Sequence, residues 1–175
     1  NDGGTGFTQS SGTLSIVPNL DSTAILLGDA ANIEGINGLS LTDRELNAIE
    51  DGFSQINIGK LAGGTDVLGP VLIDNATFKD PLAVAGGSIT TFGTVTGDGG
   101  LTLTTFENSF NSGDVVSING RLLSDLSGPI VIDAADDVTI GATTAVATAA
   151  GQTFTINVDQ SMSDAVGSTI TIDGS

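Results

Sequence analysis

The sequence predicts an all-β fold built as a stack of short strands, a β-solenoid, and three observations lead there. A short strand of alternating apolar and small polar residues recurs from end to end. Copies are Leu101-Thr102-Leu103-Thr104, Pro129-Ile130-Val131-Ile132-Asp133, Val138-Thr139-Ile140, Thr153-Phe154-Thr155-Ile156-Asn157-Val158 and Ser168-Thr169-Ile170-Thr171-Ile172-Asp173. Alternation with a period of two sends one set of side chains inward and the other outward. Gly, Asn or Asp closes most runs, and the 25 glycines suit a chain with many tight turns. The spacing of the runs, roughly 8–16 residues, suits a solenoid with two or three strands per pass, and a β-sandwich is the alternative.

Taken in order, residues 1–12 are rich in Gly, Ser and Thr and read as a flexible N-terminal segment. Residues 13–175 read as a single β-solenoid domain. Strands are expected at Thr13–Val17, Ala24–Leu27, Leu39–Leu41, Gln55–Ile58, Pro70–Ile73, Leu82–Val84 and Ser88–Phe92. Further strands are expected at Leu101–Thr105, Val115–Ile118, Ile130–Ile132, Val138–Ile140, Thr153–Val158 and Thr169–Ile172. One α-helix is expected near residues 42–52, because Thr42 and Glu45 have capping-box spacing. Leu46, Ile49 and Phe53 would share its buried face, and Gly52 sits where a left-handed C-terminal residue is expected. The inward stack is expected to comprise Ile56, Ile58, Val71, Ile73, Leu101, Leu103, Ile130, Ile132, Phe154, Ile156, Ile170 and Ile172.

Composition removes several function classes. The net charge is −17, from 21 acidic and 4 basic residues, which disfavours direct binding to nucleic acid or to an anionic membrane. Cys is absent, which removes disulfides, thiol catalysis and thiolate metal sites. His is absent too, which removes His-based triads and His metal sites. The four cations, Arg44, Lys60, Lys79 and Arg121, are dispersed, and neither Trp nor Tyr is present to form a sugar-stacking platform. No apolar run approaches the ~20 residues that span a bilayer, so membrane insertion is not expected. The first residue, Asn1, points to a processed form or an excised piece, and the composition fits an extracellular or cell-surface location.

The stretch from Leu39 to Gly59, Leu-Ser-Leu-Thr-Asp-Arg-Glu-Leu-Asn-Ala-Ile-Glu-Asp-Gly-Phe-Ser-Gln-Ile-Asn-Ile-Gly, is followed by the step Phe78-Lys79-Asp80-Pro81. Together they resemble a recurring module of very large, repeat-rich, haemagglutinin-like surface proteins of cyanobacteria and planctomycetes. The resemblance covers roughly residues 39–84. It implies a right-handed parallel β-helix inside a long extracellular chain, and it brings no catalytic residues with it.

Motifs for chemistry are few. Asp136-Asp137 is an acidic pair, but adjacent residues point in different directions and do not make a general acid and base. Calcium is the more reasonable ligand. Asp98 in Gly97-Asp98-Gly99-Gly100, and Asp133, Asp136 and Asp137 in Asp133-Ala134-Ala135-Asp136-Asp137, offer carboxylates beside turn carbonyls, the hard oxygen donors Ca²⁺ prefers. Neither segment fits an EF-hand loop or a nonapeptide calcium array. Thr-x-Thr strands at Thr94–Thr96, Thr102–Thr104, Thr153–Thr155 and Thr169–Thr171 raise an ordered-water or ice-binding surface as a further alternative. The expectation is a non-enzymatic structural module of a stalk, adhesin shaft or self-assembling filament, with no catalytic residues and no required cofactor. Its partners would be copies of itself or adjacent coils of a longer chain, with glycans or other surface material as further candidates. Calcium or glycan binding and a polysaccharide-active β-helix enzyme are the rival readings.

Overall fold

The computed structural model describes residues 10–61, 68–106, 114–124, 128–142, 144–158 and 168–173. Its strands, in chain order, are β1 (Thr13–Ile16), β2 (Ala24–Gly28), β3 (Gly38–Leu41), β4 (Gln55–Ile58), β5 (Pro70–Phe78), β6 (Leu82–Gly86), β7 (Ser88–Gly97), β8 (Leu101–Thr105), β9 (Val116–Ile118), β10 (Arg121–Ser124), β11 (Ile130–Asp133), β12 (Val138–Ile140), β13 (Ala145–Thr148), β14 (Phe154–Asn157) and β15 (Ile170–Ile172). One α-helix, α1, covers Asp43–Leu46. The expected all-β class holds.

The strands form two sheets. The first runs β1-β4-β6-β8-β11-β14 and the second β15-β12-β9-β7-β5-β2-β3. The second sheet carries a branch in which β10 joins the end of β7 to β13. Every ladder among the described residues is parallel. That removes the antiparallel pairing on which a β-sandwich is built. Parallel neighbours within one sheet need a long connection. Here the chain crosses to the other sheet instead, and only Gly87 separates β6 from β7.

Register puts like side chains over like. In the first sheet Leu14, Ile56, Leu82, Leu101, Ile130 and Phe154 form one column. Ile16, Ile58, Val84, Leu103, Ile132 and Ile156 form the second. In the second sheet Leu39, Ile25, Val71, Ile89, Val116, Val138 and Ile170 align. Both sheets contribute to a single apolar cluster, which includes Ile25, Ile58, Val71, Leu103, Ile118 and Ile132. β2 and β6 are buried on both faces, which matches their near-continuous apolar runs.

Four features depart from the sequence reading. The helix stops after Leu46 instead of running to residue 52. Its capping box is present, with the Thr42 N–H donating to Glu45 Oε2 at 2.9 Å. The chain then leaves the helical path so that Phe53 joins Leu46 in the core, with Ile49 packed against it. Gly52 takes φ 132° rather than a left-handed helical cap, and its N–H donates to Asp80 Oδ1 at 3.0 Å.

The second departure is at the far end. Phe154 is 40% exposed, Ile170 46% and Ile172 65%, and Ile156 is only partly buried. These residues occupy the inward register, but no described strand lies beyond β14 or β15 to cover them. The third is β10 and β13, which the alternation did not reveal. The fourth is the length of β5 and β7, which continue past the expected ends through a bulge between Asp74 and Ala76. Asn75 makes that bend at φ 46°, in the left-handed region that Asn tolerates better than most residues. Gly93 packs beside it at φ 45°, and a Cβ there would collide with the Asn75 side chain.

Candidate functional site

The acidic residues are the candidate chemistry, and Asp98, Asp133, Asp136 and Asp137 all lie at strand ends or in the turns between strands. The Asp133 carboxylate, at the end of β11, accepts from Asn157 Nδ2 at 2.6 Å. Asp137 Oδ1 accepts from both the N–H and the hydroxyl of Thr169, at 2.7 and 2.9 Å. Asp136 faces the opposite way. It is 6% exposed, and its Oδ2 accepts from the Asp114 N–H at 3.3 Å. Beside it the Thr105 hydroxyl donates to the Asp114 carbonyl at 2.7 Å and accepts from the Ala135 N–H at 2.9 Å. Asp136, Asp137 and Thr105 therefore satisfy backbone groups that would otherwise cost stability, while Asp133 holds a side-chain amide.

Asp98 lies apart, in the turn between β7 and β8, where its N–H donates to the Phe78 carbonyl at 3.1 Å. Asp133, Asp136 and Asp137 share one turn, but their carboxylates go to three different partners. No group of three or more metal-ligating side chains occurs among the described residues. The threonines behave similarly. Thr90, Ser117, Thr139 and Thr171 align in single file on the outer face of the second sheet. On the first sheet Thr102 stands between Ala83 and Val131, so the hydroxyls do not form a broad array. The Thr153–Thr155 strand adds only Thr155, beside Val131.

The segment from Leu39 to Gly59 and the Phe78–Pro81 step hold each other. Lys79 Nζ lies 3.3 Å from Glu50 Oε2, and Asp80, 4% exposed, receives the Gly52 N–H. The Pro81 carbonyl accepts from the Ile56 N–H at 2.8 Å, and Phe78 is buried in the core. The Phe78–Pro81 step is thus the receptor for the segment that carries α1.

One acidic grouping was not visible in the sequence. Asp74 and Asn75 on β5 lie near Asp29 and Asp43, bordering a polar recess of about 130 Å³ lined by Asp43, Leu46, Asn47, Asn75 and Thr77. Burial first, and then repulsion from Asp29 and Asp43, holds the Asp74 carboxyl above its ordinary value. Asn75 knits this corner, donating from Nδ2 to Asp29 Oδ2 at 2.9 Å and accepting the Thr94 N–H at 3.0 Å. Glu45 is shifted the other way, held below its ordinary value by hydrogen bonds from the Thr42 backbone and hydroxyl. The partners of Asn75 lie 46 and 19 residues away, so no local pattern announces them.

No family model, curated protein or solved structure matches the chain. No helix among the described residues is long and apolar enough to cross a membrane.

Proposed function

We propose that this chain is a non-enzymatic structural segment, a right-handed parallel β-helix that builds an extended stalk, adhesin shaft or filament outside the cell. The observation that carries the reading is the register. Apart from β3, the strands of the main order advance one place at a time in each sheet and repeat the same inward apolar pattern, so one level is built to receive the next. The acidic turns support the same reading, because their carboxylates are spent on holding one level to the next. In this reading Asp98, Asp133, Asp136 and Asp137 serve the turns, and the fold requires no Ca²⁺.

Electron microscopy of the purified chain, together with melting in chelator and in added Ca²⁺, tests it. Rods or fibres with an axial spacing of ~4.8 Å per strand are expected, with the same Tm in both conditions. A rounded particle with turnover on a polysaccharide would overturn the structural role. A Tm that rises with Ca²⁺ would return the four aspartates to the calcium reading.

A further inference from the structure

The order of the second sheet contains one reversal. Everywhere else in both sheets the strands of the main order follow the chain. β3 instead follows β2 in sequence yet pairs on the side of β2 that faces away from β5. The chain doubles back there before Leu46 and Phe53 return it to the core. We propose that residues 29–53 form a back-folded strap whose β3 occupies the edge of β2 that β15 of a second copy of this chain would otherwise take. The inference concerns the ladders alone and does not depend on a stalk role.

Two matches identify the occupant. β3 presents Leu39-Ser40-Leu41 to Ile25-Leu26-Leu27, and β15 presents Ile170-Thr171-Ile172 to Val138-Thr139-Ile140, both in parallel register. Both are apolar–hydroxyl–apolar strands, so β3 copies the pattern that β15 carries. The neighbouring sheet repeats the match. Among the described residues β1, with Leu14-Ser15-Ile16, and β14, with Phe154-Thr155-Ile156, each pair on one edge alone. A second copy placed with β14 beside β1 would bring its β15 beside β2, and among the described residues β3 lies in that place. Such a contact is head-to-tail and does not close, so unchecked it would propagate.

The strap is anchored at its end and loose at its strand. Leu46 and Phe53 are buried, and Asp80 holds the Gly52 N–H. In β3, by contrast, Gly38 and Ser40 are exposed and Leu39 and Leu41 only half-buried. β3 is therefore the part that can be lifted without dismantling the core.

Ser40→Pro removes a backbone donor from β3 and disfavours its pairing. Sedimentation and electron microscopy would be run at high salt, where the charge of −17 is screened. The variant should form concentration-dependent chains at protein levels tenfold or more below those at which the parent associates. Adding Thr171→Pro should return it to the parent's behaviour. A folded Ser40→Pro protein whose β2 amides exchange freely, yet which associates no more than the parent, overturns the proposal. Association that survives Thr171→Pro overturns the choice of β15. If Ser40→Pro loses its β spectrum, Leu39→Ser carries the same test with the same outcomes.

Discussion

The two ends of the stack are made of the same kind of strand and meet different fates. At the near end, β2 is flanked by β3, and Leu46 and Phe53 close the core beneath it. At the far end, β14 and β15 keep the same alternation but hold Phe154, Ile170 and Ile172 in the open. Ile73 and Ile172 stand in one column of the second sheet, yet the first is fully buried and the other 65% exposed. Alternation thus sets only which way a side chain points. Whether it is buried depends on the strands stacked on either side.

The sharpest way to break this comparison is a charge placed in each region. Ile58→Asp buries an unpaired carboxylate and should cost several kcal/mol, enough to unfold the chain at 37 °C. Ile172→Asp should stay within about 0.5 kcal/mol of the parent, with Ile156→Asp between the two. Urea unfolding followed by circular dichroism reads all three, and equal losses would mean that the ends are no different from the middle. Phe53→Ala comes next, at about 3–5 kcal/mol for a buried ring. The exposed Phe154→Ala should lose about 1 kcal/mol or less.

A smaller effect of opposite sign tests the middle itself. Thr91 stands in an apolar column between Ile73 and Ile118, fully buried, and its hydroxyl has no hydrogen-bond partner among the described residues. Thr91→Val keeps the shape and should stabilise by about 1 kcal/mol; a loss in the same unfolding assay would show that the hydroxyl has a partner. The smallest effect is where β5 meets the strap. The folded-state pKa of Asp74 is raised, so the folded chain binds more protons than the unfolded one between the ordinary and the raised value. Stability should therefore fall as pH rises through that interval and stay lower above it. Asp74→Asn should raise Tm at neutral pH and lose its advantage in acid. Glu45→Gln should do the reverse, removing stability that is present at neutral pH and lost as pH falls through the lowered folded value. Parallel pH profiles for the two variants would sink this account.

Much of this architecture was legible in the residues. Runs such as Leu101–Thr105 and Ile130–Ile132 declare themselves by alternation, and Thr42 and Glu45 declare the start of α1. Arg121–Ser124 places two leucines side by side and Ala145–Thr148 is built on alanine, so neither β10 nor β13 carries the period. The stop after Leu46 was hidden because it is dictated by where Phe53 must go, not by a local breaker. Of the candidate site, the positions of Asp133, Asp136 and Asp137 could be read, but not their roles. Their partners, Asn157, Asp114 and Thr169, become neighbours only through the stacking.

The doubled-back strand also bears on the order in which the structure can assemble. Thr13 waits for Gln55 and Ile25 for Val71, each more than 40 residues later. Ala24, by contrast, meets Gly38 after 14. Closing a short loop costs less chain entropy and happens sooner. Of the described strands, β2 and β3 are the first able to pair as the chain is made. That early pair gives the growing sheet a paired edge before β5 exists to extend it.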